Sequence, residues 1–308
     1  MTKRASLSDK LQYNTAMNKN IQHQPARAAA PSKAGGIAPM YFIKMHGLGN
    51  DFAVFDARKS QLDFTDVQVR QLADRQRGIG FDQMVVLRQS KSAHVFMEIW
   101  NADGSKVGAC GNATRCVAKL ILSELDSQSC TIETEAGLLS TDQVNGLFQV
   151  NMGQALTSWR DIPLAKDINT DAVNLESYGL PAGVCTNMGN PHITFFMDQM
   201  PDDADINQLG PKVENHSLFP ERVNVGFASV NGENSLRLRV WERGAGITQA
   251  CGTAACAAAV AAYRRQITAR QVMIELDGGI LEIIYQKDGT VLMTGSATTV
   301  FEGTVRLP

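Results

Sequence analysis

Ala109-Cys110-Gly111-Asn112-Ala113 and Ala250-Cys251-Gly252-Thr253-Ala254 are one short phrase written twice, 141 positions apart. Two more pairs of segments keep the same order and nearly the same spacing. Gly49-Asn50-Asp51-Phe52-Ala53-Val54-Phe55-Asp56 resembles Gly189-Asn190-Pro191-His192-Ile193-Thr194-Phe195-Phe196 at an offset of 140. Ile132-Glu133-Thr134-Glu135-Ala136-Gly137 resembles Ile274-Glu275-Leu276-Asp277-Gly278-Gly279 at an offset of 142. Three matches in one order imply two homologous halves, roughly 40–155 and 182–308. Two copies are too few for a solenoid, so two similar domains facing each other across a cleft are expected.

Each half has the same grammar. A strand candidate comes first, Ala93 to Trp100 in one half and Ser235 to Trp241 in the other. The second alternates Leu236, Leu238 and Val240 with Arg237 and Arg239, the pattern of a half-buried strand. The Cys-Gly phrase then opens a helix. Ala113, Cys116, Val117, Leu120 and Ile121 form one apolar stripe at helical spacing. The second helix, Thr253 to Arg265, carries Ala and Val on every side and is expected to be buried all round, with Arg264 and Arg265 at its negative end. Strand pairs turning at Asn145-Gly146 and Asp288-Gly289 follow. The predicted class is mixed α/β (α+β): two pseudo-symmetric domains, each a mixed β-sheet curled around a central helix, with the active site in the interdomain cleft.

Bulk properties exclude several classes. A formal net charge of −2 supplies no field for a nucleic-acid backbone. No apolar run reaches spanning length, so no membrane partner is expected. The six cysteines lie in a chain of 308 residues, too long to need a disulfide frame, and no secretory core precedes them. Free thiols in a reducing, cytoplasmic compartment are the expectation. Residues 1–39 are polar, with Asp9 their one acidic residue, and hold no apolar period. They are expected to form a disordered, dispensable extension. Although basic, the segment lacks the amphipathic arginine face of a transit peptide.

A cysteine at a helix start stands beside unpaired backbone N–H groups, which favour the thiolate and can also hold a carboxylate. Two such cysteines, related by a pseudo-twofold, suit removal of a proton from one face of a carbon and its return on the other. That chemistry calls for no metal and no cofactor. Cys116, Cys130, Cys185 and Cys256 are expected to be buried fillers. The spacings Cys110–Cys116 and Cys251–Cys256 do not suit a structural zinc site.

Four motifs in order carry a specific resemblance from about Met40 to the C-terminus: Lys44-Met45-His46-Gly47-Leu48-Gly49-Asn50-Asp51-Phe52; Asn101-Ala102-Asp103-Gly104-Ser105 leading to Cys110-Gly111-Asn112; Gly189-Asn190-Pro191-His192; and Glu242-Arg243-Gly244-Ala245-Gly246 leading to Ala250-Cys251-Gly252. Together they resemble the diaminopimelate epimerases. The resemblance implies a diaminopimelate epimerase-like fold, with residues 40–155 plus about 297–308 in one domain, 156–296 in the other, and a last strand returning to the first. It implies conversion of LL- to meso-diaminopimelate, a precursor of lysine and peptidoglycan, as a homodimer without pyridoxal phosphate. Cys110 and Cys251 would be the acid and base. Gly111, Asn112, Gly252 and Thr253 would hold the reacting carboxylate. Asn50, Gln83, Asn101, Asn190, Asn224, Glu242 and Arg243 would hold the distal end, where an Arg fork suits a carboxylate and Asn or Glu an ammonium. His192 and Glu242 would tune the sulfurs.

Three departures from the family pattern stand out. Ala113-Thr114 and Ala254-Ala255 replace a Gly-containing step, and the methyl of Ala254 is expected to tighten its turn. Ile247 replaces an acidic or polar residue, and Phe301 a tyrosine associated with dimerisation. The rival readings are a proline or hydroxyproline racemase-like enzyme, which would have no use for the distal Asn and Arg set, and a duplicated amino-acid-binding module without catalysis. Phenazine-biosynthesis isomerase-like relatives do not retain both cysteines. Deletion of residues 1–39 is expected to leave the turnover rate unchanged in a steady-state assay; a large loss would assign that segment a role.

Overall fold

The computed structural model describes residues 39–175 and 178–307. All of the predicted extension except Pro39 lies outside the described residues. In chain order come β1 (Met40–Gly47), β2 (Asn50–Asp56), α1 (Asp66–Ala73), β3 (Gln83–Arg88), β4 (Val95–Asn101), β5 (Lys106–Val107), α2 (Gly111–Leu125), β6 (Ser129–Thr134) and β7 (Gly137–Val144). Strand β8 (Leu147–Gln154) leads on to β9 (Val184–Asn187), β10 (Pro191–Phe196), α3 (Asp203–Glu214), β11 (Asn224–Gly232), β12 (Ser235–Glu242) and β13 (Gly246–Thr248). Helix α4 (Gly252–Arg264), β14 (Gln271–Leu276), β15 (Gly279–Tyr285), β16 (Thr290–Gly295) and β17 (Thr298–Val305) complete the chain. Two compact units divide it, one running to Phe148 and resuming at Ser296, the other Gln149–Gly295.

The pairing order is the same in both units. In the first, β1–β2 is antiparallel, β2–β3 parallel, β3–β4 antiparallel, β4–β6 parallel and β6–β7 antiparallel. In the second, β9–β10, β10–β11, β11–β12, β12–β14 and β14–β15 repeat that alternation of direction. The mixed α/β class and the duplication read from the sequence are both present. In the first unit β17 also flanks β1, antiparallel.

Strand parity explains the layers of the first unit. Phe52, Val54, Val85 and Leu87 point into a core shared with α2, while Ala53, Phe55, Met84 and Val86 point into another that contains Val69 and Leu72 of α1. A strand buried on both faces carries an unbroken apolar run, as Met84 to Leu87 does. In the second unit α3 packs on β11, β12 and β13. Helix α4 packs on β9, β10, β11, β14, β15 and β16, and every residue from Ala254 to Ala262 is buried. Alanine suits this role because a helix ringed by strands has no room for longer side chains and pays no side-chain entropy there.

Turn chemistry follows the residues. Asn145 and Gly146 both take positive φ, 52° and 80°, as a two-residue hairpin turn requires. At Asp288-Gly289 the turn is longer, closed by Gln286 N–H to Thr290 O at 2.8 Å. Helix α2 ends at Asp126, left-handed at φ 49°, whose N–H returns to Leu122 O.

Because α4 has no spare volume, Ala258→Leu is expected to destabilise the protein by ~1–3 kcal/mol, read from urea unfolding. Leu125→Ala, at an exposed position of α2, is expected to stay within about 0.5 kcal/mol of the parent.

Candidate active site

In the first unit, register assembles the residues. Phe52 lies opposite Gln83 across β2–β3, and Gln83 opposite Asn101 across β3–β4. Asn50, Gln83 and Asn101 therefore stand at one end of three neighbouring strands. Asn50 is delivered there by a tight turn in which Leu48 and Gly49 have φ of 57° and 86°. A leucine in that region is strained by roughly 1–2 kcal/mol; burial of its side chain offsets the cost. His46 Nδ1 accepts the Gly49 N–H at 3.3 Å inside the same turn.

Cys110 caps α2 in extended conformation, φ −149° and ψ 113°, so its sulfur sits at the helix start, half-buried. Gly111 and Asn112 are the first two helical residues. Asn50 Oδ1 accepts from Asn112 Nδ2 at 3.2 Å and lies 3.9 Å from Cys110 Sγ. The amide orientation follows from Asp82, whose Oδ2 takes Asn50 Nδ2–H at 3.0 Å. A carboxylate only accepts, so the Asn50 oxygen must face the cysteine side. Asp82 is in turn paired with Arg75, which also binds Asp51. Burial alone would raise the Asp51 carboxyl, but hydrogen bonds from Arg75 and Lys44 hold it well below the usual range. Gln83 and Asn101 form a separate pair, Nε2 to Oδ1 at 3.0 Å, and Asn101 Nδ2 reaches Ser105 Oγ at 3.0 Å.

The second unit repeats the frame with different side chains. His192 lies opposite Asn224 across the parallel β10–β11 pair, the position that Phe52 and Gln83 occupy in the first. Asn224 Nδ2 donates to Pro191 O at 3.0 Å, and its Oδ1 accepts the Arg243 N–H at 2.9 Å. Asn190 Oδ1 lies 2.8 Å from His192 Nε2. Burial first, and then the Arg243 charge, depress the imidazole to about 3, so His192 is neutral in the folded protein. Arg243 Nη1 is held by Glu221 O at 2.8 Å.

Cys251 caps α4 with φ −118° and ψ 110°, and Gly252 and Thr253 open the helix. The helix start was expected to lower this thiol. Burial, with only 5% of the residue exposed, instead raises it well above its ordinary value, and the Glu242 carboxylate adds to the effect. The Thr253 hydroxyl, 3.5 Å from the sulfur, and the Ala254 N–H pull the other way and are outweighed. Helix-end charge is worth roughly 2 kcal/mol at most, whereas full burial shifts a group by up to several pKa units. Glu242 is oriented by the Thr248 hydroxyl, 2.5 Å from its Oε1.

Ala254, whose methyl was expected to tighten the turn, is buried in a helix that runs unbroken from Gly252. Ile247 packs on the apolar cluster of its unit with Trp241. Phe301 is half-exposed and meets Phe42 edge-on at 6.0 Å. Sequence reasoning missed Asp82, Arg75, Thr248 and Glu214, the last of which receives Trp241 Nε1 at 2.7 Å and Gly244 N at 3.0 Å. The Asp82-Gln83 step beside a predicted site residue was the one available signal. Cys116, Cys130 and Cys185 are buried thiols; burial pushes Cys116 up to about 12. No cluster of His, Cys, Asp and Glu among the described residues has the geometry to hold a metal ion, and no described helix is long and apolar enough to cross a membrane.

With this geometry in view, the family model described as "Diaminopimelate epimerase" matches residues 42–157 and 184–300. The chain belongs to the diaminopimelate epimerase family. The protein of that name from Acidiphilium cryptum is 48% identical over 264 residues, covering 85% of this chain and 95% of its own. That from Rhodospirillum centenum is 49% identical over 265 residues, covering 85% and 91%. Among solved structures, a hydroxyproline epimerase from Agrobacterium vitis with bound trans-4-hydroxy-L-proline superposes with a TM-score of 0.63 at 14% identity, covering 87% of this chain and 93% of its own. At that identity the likeness speaks for the fold alone.

The neutral, buried His192 has a consequence for stability. Between its ordinary value of 6.5 and about 3, the unfolded chain binds a proton that the folded one excludes. Stability is therefore expected to fall as pH drops through this window, by up to about 1.4 kcal/mol per pH unit from this group. His192→Gln should flatten the slope between pH 6.5 and 5; denaturation midpoints equally steep in both proteins would refute the assignment.

Proposed function

We propose that the chain converts LL-2,6-diaminopimelate to the meso isomer by a two-base mechanism that uses Cys110 and Cys251. What carries the reading is that each copy of the duplicated phrase caps a buried helix with a cysteine, in a chain of the diaminopimelate epimerase family. Inversion at a carbon calls for one group to take a proton from one face and another to supply one on the opposite face. Cys251, kept protonated by burial and Glu242, is the donor in the forward direction. Cys110, near neutral carboxamides, takes the α-proton as thiolate. After turnover Cys110 carries the proton and Cys251 the charge, the state that the reverse reaction needs.

The backbone N–H groups at the starts of α2 and α4, from Gly111, Asn112, Gly252 and Thr253, would hold the carboxylate next to the reacting carbon and spread the charge that develops there. Asn50, Gln83, Asn101, Asn190, Asn224 and Glu242 would take the distal ammonium, and Arg243 the distal carboxylate. His192 is assigned, with Glu242, to tuning the sulfurs. The protein is read as a cytoplasmic homodimer that needs no pyridoxal phosphate. A proline-type substrate is disfavoured because it has no second charged end for Arg243.

In heavy water the parent protein is expected to exchange the α-hydrogen of LL-diaminopimelate and form the meso isomer, with no turnover of proline or hydroxyproline. Cys110→Ala and Cys251→Ala should each lose net epimerisation by at least about a thousandfold. Full activity in either variant would end the two-base reading.

A further inference from the structure

Glu214, the last residue of α3, lies outside every motif above, and it is buried, with 4% of its surface exposed. Its carboxylate receives three donors from three segments. Trp241 Nε1 meets Oε2 at 2.7 Å, while Gly244 N, at 3.0 Å, and Arg222 Nη1, at 3.2 Å, meet Oε1. Trp241 is the last residue but one of β12, immediately before Glu242 and Arg243, and Gly244 lies at the tip of the turn that follows. The turn is also closed by Ala245 N–H to Glu242 O at 3.0 Å and by the pairing of Glu242 with Gly246, and its other side is held by Arg243 N–H to Asn224 Oδ1 at 2.9 Å. The Trp241 ring reaches Glu214 by lying flush on α3. A Cβ on Gly210 would stand 2.4 Å from the indole Cδ2, so only glycine leaves that space.

We propose that Glu214 is a positioning residue: a buried carboxylate that seats the 243–245 turn and thereby sets where Arg243 meets the distal end of the substrate. The inference rests on the reading of Arg243 given under Proposed function. Charge and geometry both matter. Two oxygens that only accept can satisfy three N–H donors, and hydrogen bonds to an ionised acceptor are the strong kind. A glutamine in this place would turn an NH2 toward either the indole N–H or the Gly244 and Arg222 N–H groups, donor against donor. The turn would then lose one side of its anchorage while its covalent frame persisted.

The test is Glu214→Gln in the full chain, with Trp241→Phe as a milder variant that removes one donor only. In Glu214→Gln the KM for LL-diaminopimelate should rise about tenfold with kcat within about threefold, because grip on the distal end is common to ground and transition states. In an Arg243→Ala background the same change should cost less than about twofold, since the turn then has no distal contact to misplace. Amide hydrogen exchange at Gly244 should quicken at least tenfold, whatever the substrate. Trp241→Phe should raise KM about threefold, and it carries the test if Glu214→Gln does not fold. An unchanged KM, a lost kcat at constant KM, full additivity with Arg243→Ala, or unaltered exchange at Gly244 would each overturn the proposal. A parent protein inert toward diaminopimelate, with exchange at Gly244 still quickened by Glu214→Gln, would instead sink the functional reading and leave the anchor in place.

Discussion

Burial of α2 and α4 right up to their first residues is the constraint on which the rest depends. A helix start has donors without intrahelical partners, and ordinarily serine, aspartate or water satisfies them. Here the capping position is a cysteine in both units, and no side-chain cap bond forms. In the second unit the Ala254 N–H acts on the sulfur itself and favours its thiolate. A helix start whose N–H groups lie beside a thiol suits a carboxylate, in keeping with the proposed substrate.

The same burial that creates the site also decides its protonation. Helix-start donors favour a thiolate, but their influence is small beside the cost of holding a charge in an apolar pocket. At Cys251 the second term wins, and the Glu242 carboxylate reinforces it. Cys110 is half-buried, and the Asn50 carboxamide oxygen lies 3.9 Å from its sulfur. Nearly identical pentapeptides thus hold their sulfurs in different electrostatic surroundings. The difference comes from the strands beside each helix, not from the phrase itself.

Much of the fold and part of the site were legible in the residues. The repeat gave away the duplication, the alternation of Leu236, Leu238 and Val240 marked β12, and the alanine run of α4 announced burial all round. The raised thiol of Cys251 was not legible, because it depends on how deep the helix start lies and on Glu242 arriving from another strand. Glu214 and Asp82 escaped for a related reason. Each is a common residue on a helix end or loop, and it acquires meaning only when tertiary structure brings Trp241 and Gly244, or Asn50, within hydrogen-bond reach. Local pattern encodes elements and their buried faces; it does not encode which carboxylate will orient which neighbour.

The duplicated frame also shows where equivalence stops. At matching register positions the first unit carries Phe52 and Gln83, and the second His192 and Asn224. The neighbouring strands end in Asn101 in the first and in Glu242, followed by Arg243, in the second. Backbone geometry has been kept while polarity has diverged: Asn50, Gln83 and Asn101 are neutral, whereas Glu242 and Arg243 bear charge. Each unit nevertheless seats its strand end on a carboxylate with three donors: Asp82 takes Asn50 Nδ2, Asp51 N and Arg75 in the first, and Glu214 takes Trp241, Gly244 and Arg222 in the second, so the support has been kept while the polarity it carries has changed.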